Sequence, residues 1–169
     1  MLRPILRLGR AVLQQAAAPV PAVGPETQAL IDDMIETMHA APGIGLAAPQ
    51  IGVGARLFVV DLSVGRTASD LQVFVNPELV ERGGLQLEEE GCLSLPGFTA
   101  TVLRPSRVVV RATDRHGAVR TVEGTGLMAR ALQHELDHLD GLLYVDRLRG
   151  IQRAAIERRV RKLARLGRW

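Results

Sequence analysis

Apolar positions recur at helical spacing across residues 25–40, "PETQALIDDMIETMHA", where Leu30, Ile31, Met34, Ile35 and Met38 share one face and acidic residues separate them. Pro25 suits a first turn, and "APG" at 41–43 stops the helix. The next stretch, "IGLAAPQIG", is small, apolar and glycine-rich, so its backbone can approach another group closely. Strand patterns follow. "ARLFVVDLS" and "LQVFVNPELV" are short apolar runs, and "FTATVL", "RVVVRATD" and "AVRTVEG" are rich in Val and Thr. "DRHG" at 114–117 reads as a hairpin turn between the last two. A helix beginning near Thr125 places Leu127, Ala131, His134 and His138 on one side. A last helix is expected from about Gly150 to Leu166, with Ile151, Ala155, Ile156, Val160, Leu163 and Ala164 as its apolar stripe. With no repeat, low-complexity tract or long linker, the pattern predicts one α+β domain over residues 1–169. Antiparallel strands would pack around a central helix, and residues 149–169 would form a C-terminal helix.

Composition and charge change this picture. Aromatic residues are only 3% of the chain, so the core must be aliphatic. There is one cysteine, which excludes an internal disulfide and makes a thiolate role for Cys92 worth weighing. No apolar run approaches the roughly 18 residues of a membrane span, so no membrane partner is expected, and no DNA partner either. The net charge of +3 is unevenly placed: Arg149–Trp169 holds eight basic residues and one acidic, leaving residues 1–148 at −4. The N-terminus has three arginines and no acidic residue before Glu26. It lacks the Ser richness and amphipathic stripe of an organelle transit peptide, so a short basic arm of the domain is expected, in a bacterial cytoplasm.

Chemistry concentrates in "QHELDHLDG" at 133–141. His134 and His138 are four apart, so a helix projects both rings from one face. Glu135 leaves about 100° away, placed for a water beside a metal rather than for the metal itself. An accidental match on an amphipathic helix is the bland alternative. Hydrolytic metal sites usually take three protein ligands, and three residues compete for the third place. Tyr144 stands where a metzincin pattern has its last histidine. Glu157 lies nineteen residues after His138, at the spacing of a thermolysin-like glutamate, but within "IERRVRK", where pairing with arginine is its simpler role. Cys92 lies upstream in "EEEGCLSLPG", and a thiolate suits zinc or ferrous iron.

"GIGLAAPQ" at 43–50, "EGCLSLPG" at 90–97 and "QHELDHLDG" together resemble the three signature motifs of the peptide deformylases, in order and separation, over nearly the whole chain. "PGF" at 96–98 and Arg130 resemble a subgroup found in organelles and some bacteria. The resemblance implies removal of the N-formyl group from formyl-methionine on nascent peptides, releasing formate. It implies Cys92, His134 and His138 as ligands of one divalent metal ion, with Fe2+ preferred and Zn2+ or Ni2+ accepted. Glu135 would be the general acid/base, Gln50 and the Leu93 N–H the oxyanion donors, and Gly45 the residue whose backbone aligns the peptide. It also implies a structural Glu90–Arg104 ion pair. Ile44, Leu127 and Ala131 are apolar and near the motifs, so they are expected to line a methionine pocket. Arg130 shares the His134 face, with a peptide-backbone contact or a structural ion pair as its two readings. "RAVLQQAAAP" is less charged than is usual for the family, and Pro49 stands where some members have threonine. The resemblance also suggests docking of the basic tail on ribosomal RNA, against a solvated helix face as the bland alternative. Two other classes compete: a zinc endopeptidase using Glu157 or Tyr144, and a non-catalytic RNA-associated protein.

Overall fold

The structure, a computed structural model, describes residues 1–169. In chain order it contains α1 (Pro25–Ala40), β1 (Gly45–Ala47), β2 (Leu57–Val60), β3 (Gln72–Gly83), β4 (Gln86–Gly91), β5 (Thr99–Arg104), β6 (Arg107–Thr113), β7 (Val119–Thr125), α2 (Gly126–Leu139) and α3 (Ile151–Arg165). Strands β1-β2-β3-β6-β7 form one antiparallel sheet in that order, and β4-β5 form a separate hairpin. The expected α+β domain, with its antiparallel strands, central helix and C-terminal helix, is the one observed.

The apolar runs of β2 and β3 are continuous because both faces of the sheet are covered. Leu57, Val59 and Val75 pack with Ile31, Met34 and Met38 of α1. Phe58, Val60 and Phe74 point the other way, towards Leu132, Leu136 and Leu139 of α2. Phe58 and Phe74 are register partners and stack at 4.7 Å. Towards the other edge β6 alternates in part, with Val109 buried between its inward-facing neighbours. Val108, Val110 and Ala112 join the α2 cluster, while Arg107 and Arg111 pair with glutamates at the surface.

β3 runs longer than the apolar pattern suggests, and its pairing with β6 shifts register after Val75. Pro77 has no N–H to give a ladder. Asn76, at φ +51, turns its amide onto the Val20 backbone, accepting from its N–H and donating to its carbonyl, both at 2.8 Å.

The N-terminal arm is woven into the fold. Leu13 is fully buried. The Leu6 N–H donates to the Gln50 carbonyl (2.7 Å), the Leu8 N–H to the Ser94 carbonyl (3.0 Å) and the Ala17 N–H to the Leu139 carbonyl (2.8 Å). Gly141 allows this crossing, since a Cβ there would lie 2.9 Å from the Gln14 and Gln15 backbone. The stripe expected on α3 is narrower than the sequence suggests. Val160 is buried, but Ile151 is 88% exposed, because it opens the helix before the helix meets the domain.

Candidate active site and metal centre

α2 is buried on every side from Ala129 to Leu139. A helix so enclosed is ordinarily apolar all round, yet six of those eleven residues are polar: Arg130, Gln133, His134, Glu135, Asp137 and His138. Burying such groups is costly unless each is paired, so their partners reveal the site.

His134, His138 and Cys92 converge. One potential ligand atom from each lies within 4.8 Å of the others, and Cys92 Sγ is 3.3 Å from His138 Nε2. Cys92 follows the end of β4, and the hairpin carries it to the helix face. Two imidazoles and a thiolate suit zinc or ferrous iron. His134 Nδ1 is held by Glu90 Oε1 at 2.8 Å, which leaves Nε2 to face an ion, the arrangement typical of ligating histidines. Glu135 Oε2 is buried with no partner in the protein, so its carboxylate is aimed at something the protein does not supply. The residues present therefore fit a metal site with a neighbouring acid/base.

Two buried glutamates near this centre are pushed apart in acidity. Burial raises Glu135 to about 7, against the pull of His134. Burial also works against the Glu90 charge, but Arg104 and His134 outweigh it and bring Glu90 to about 2. Glu90 is thus a fixed anion, whereas Glu135 can take or give a proton near neutrality.

Gln50 closes the other side from the turn after β1. Its Oε1 accepts the Ala47 N–H at 2.8 Å, which fixes the amide orientation. Its Nε2 then points to Ser94 Oγ (3.2 Å) and Cys92 Sγ (3.6 Å). Gly45 lies against Glu135, where a Cβ would collide with the carboxylate and push it from its place. The Leu93 N–H has no acceptor among the backbone hydrogen bonds.

Gly45, Gln50, Cys92, Leu93, His134 and Glu135 border a cavity of about 420 Å³, lined also by Ile44, Phe98, Leu127, Arg130 and Ala131. The polypeptide deformylase family model matches residues 2–154. The chain belongs to the peptide deformylase family. It is 48% identical to the peptide deformylase of Acidobacterium capsulatum, over 100% of this chain and 99% of that one. The crystal structure of a Legionella pneumophila peptide deformylase superposes with a TM-score of 0.92 at 44% identity, covering 99% of this chain and 98% of that one. The Synechococcus elongatus peptide deformylase, solved with actinonin, gives 0.85 at 38% identity, covering 95% and 85%. As a peptide deformylase family member, the chain is an enzyme of the hydrolase class.

The alternative third ligands are engaged otherwise. Tyr144 is buried, its ring stacks on His134, and its hydroxyl donates to the Phe98 carbonyl at 3.0 Å. Glu157 pairs with Arg153 on α3 at 2.8 Å. Arg130 lines the cavity, but its guanidinium turns inward, to Glu90 (2.5 Å) and the Val102 carbonyl (3.1 Å). That geometry is the structural ion pair of its two readings. Arg104 meets Glu90 twice, at 2.6 and 2.7 Å, as the resemblance implied. Leu127 is 54% exposed, at the cavity mouth rather than its floor. Sequence reasoning missed Asp137, which holds Arg104 (2.9 Å) and Arg147 from inside the histidine motif. Its place between two inward-facing histidines was the available signal. Ser94 was missed as well, although it sits two residues after Cys92 and turns its N–H to the sulfur at 3.4 Å.

Proposed function

We propose that this protein removes the N-formyl group from formyl-methionine at the start of nascent polypeptides, releasing formate. The carrying observation is the convergence of Cys92, His134 and His138 beside the partnerless Glu135 carboxylate. Those three side chains would hold one divalent ion, Fe2+ in our reading, with Zn2+ or Ni2+ as substitutes. Bound there, the ion supplies Lewis acidity and acidifies water, giving a formamide a nucleophile at neutral pH. Glu135 takes the proton of the attacking water and returns it to the leaving amine. The Gln50 amide and the Leu93 N–H receive the charge growing on the carbonyl oxygen; losing one such donor typically costs about 10²–10³ in rate. Gly45 lets the peptide run close to Glu135. Ile44, Leu127 and Ala131 take the methionine side chain in the 420 Å³ cavity. Actinonin, the ligand of the Synechococcus relative, would occupy the same cavity.

The decisive experiment is formate release from formyl-Met peptides by anaerobically prepared, iron-loaded protein. Glu135→Gln should keep its metal and lose on the order of 10²–10⁴ in rate. No formate from the loaded wild type would sink the reading. An endopeptidase is less well supported, since the Tyr144 hydroxyl and Glu157 are both occupied elsewhere.

We place the enzyme in a bacterial cytoplasm. The three relatives named above are bacterial, and no helix is long and apolar enough to cross a membrane. The exposed basic face of α3 favours docking on ribosomal RNA. If deleting residues 150–169 left sedimentation with ribosomes unchanged at low salt, that docking would be abandoned.

A further inference from the structure

Phe98 lines the cavity and follows Gly97 in its left-handed turn at φ +81. Against Phe98 stands the indole of Trp169. The two rings meet edge-on, with centroids 5.9 Å apart and planes at 73°. Trp169 reaches this point because α3 ends in a Schellman turn. The Gly167 N–H donates to the Ala164 carbonyl (3.1 Å) and the Arg168 N–H to the Leu163 carbonyl (2.9 Å), with Gly167 at φ +66. That reversal folds the last residue back onto the domain.

Trp169 is held there from three directions. Its indole N–H donates to the Leu8 carbonyl at 2.8 Å. The Arg7 guanidinium lies 5.6 Å above its ring. Phe98 meets its edge. The segment it grips is the one whose Leu6 and Leu8 N–H groups donate to the Gln50 and Ser94 carbonyls. The indole thus bears on the cavity directly, through Phe98, and on the backbone of two motifs indirectly, through residues 6–8. Trp169 is not among the residues that line the cavity.

We propose that Trp169 is a positioning residue for the substrate cavity. Docked against Phe98, it holds that part of the cavity lining and couples the C-terminal helix to substrate binding. The inference rests on the deformylase reading of the cavity. A tail anchor with no such coupling is the competing explanation, and it predicts a loss of stability without a selective effect on binding.

The test uses the full-length, iron-loaded protein. An edge-on aromatic pair contributes enough to change a binding constant about two- to tenfold. Trp169→Ala should therefore raise KM for a formyl-Met peptide by about that factor, with kcat within about twofold of wild type. Trp169→Phe keeps an aromatic edge and should restore KM. Phe98→Ala should raise KM as well, and adding Trp169→Ala to it should raise KM no further, since the pair acts through one contact. Trp169 is the only tryptophan, so its emission should shift when actinonin is titrated into the wild type. An unchanged KM in Trp169→Ala overturns the proposal. A parallel fall of kcat and melting temperature that the Phe variant does not reverse also overturns it. If the loaded wild type released no formate, the deformylase reading would fail instead. The emission titration would then still decide whether Trp169 senses the cavity, and a silent indole would refute that.

Discussion

Glu90→Gln tests the support beneath the metal centre. The carboxylate is 5% exposed and meets Arg104 at 2.6 and 2.7 Å, Arg130 at 2.5 Å and His134 Nδ1 at 2.8 Å. The amide has nearly the same shape, but it carries no charge and turns one acceptor into a donor. With His134 Nε2 turned to a metal, Nδ1 carries the ring proton, so every group around the carboxylate is a donor and the new NH2 has nothing to bond. Arg104 keeps Asp137 at 2.9 Å, whereas Arg130 is left with one carbonyl. Breaking a buried charge pair on one side costs about 3–5 kcal/mol. At roughly 2–4 °C per kcal/mol for a chain of this size, the melting temperature should fall by about 6–20 °C. His134 also loses the carboxylate that orients its ring, which typically weakens metal binding about 10–100-fold. Thermal melts and chelator competition measure the two effects separately. A variant within about 1 kcal/mol of wild type, with unchanged metal affinity, would show that these charges are individually solvated and that the network is incidental.

Three further outcomes are expected. Gly45→Ala places a Cβ against the Glu135 carboxylate; displacement of about 1 Å should cost near 10²-fold in formate release, and activity within threefold would show that the strand yields freely. Cys92→Ala should lose bound metal while Glu157→Ala retains it, and the reverse result in elemental analysis would move the site to α3. Asp61, 1% exposed, accepts from Ser63 Oγ (2.6 Å), Gly65 N–H (2.8 Å) and His39 Nε2 (2.7 Å). Burial opposes its charge, but those hydrogen bonds prevail and lower it from 3.8 to about 2. Because the folded value is the depressed one, the stabilisation, at most about 2 kcal/mol, is present above pH 4 and lost as pH falls towards 2. The melting gap between wild type and Asp61→Asn should therefore close across that interval, and a gap independent of pH would refute the assignment.

What could be read in advance divides along physical lines. α1 and β6 follow from their apolar patterns, because each buries a face against something broad and apolar. β4 does not. "QLEEEG" has no apolar alternation, since only Glu90 of its side chains turns inward and the hairpin leaves Leu87 and Leu103 exposed. Local pattern reports burial against a core, and this strand is instead a bracket carrying Glu90 and Cys92 to the helix. The arm from Met1 to Gly24 was likewise illegible as structure. Its order comes from single hydrogen bonds to Gln50, Ser94, Gly54 and Leu139, each far away in the chain.

The site shows the same division more sharply. The i, i+4 histidines and the following glutamate are local, so the helix alone discloses them. The third ligand was open among Tyr144, Glu157 and Cys92 on spacing alone, because a ligand set is a statement about three-dimensional convergence. Arg130 makes the point for charge. One turn before His134, and on its face, it looked as suited to a substrate as to a carboxylate. The carboxylate takes it because Glu90, forty residues earlier, must offset two guanidinium groups and orient an imidazole within one dry cluster. Its second arginine, Arg104, is in turn shared with Asp137. A buried anion serving so many donors cannot be recognised until its partners are assembled around it. Once they are, the arginines, the aspartate and the glutamate explain one another, and the two imidazoles and the Glu135 carboxylate remain for chemistry.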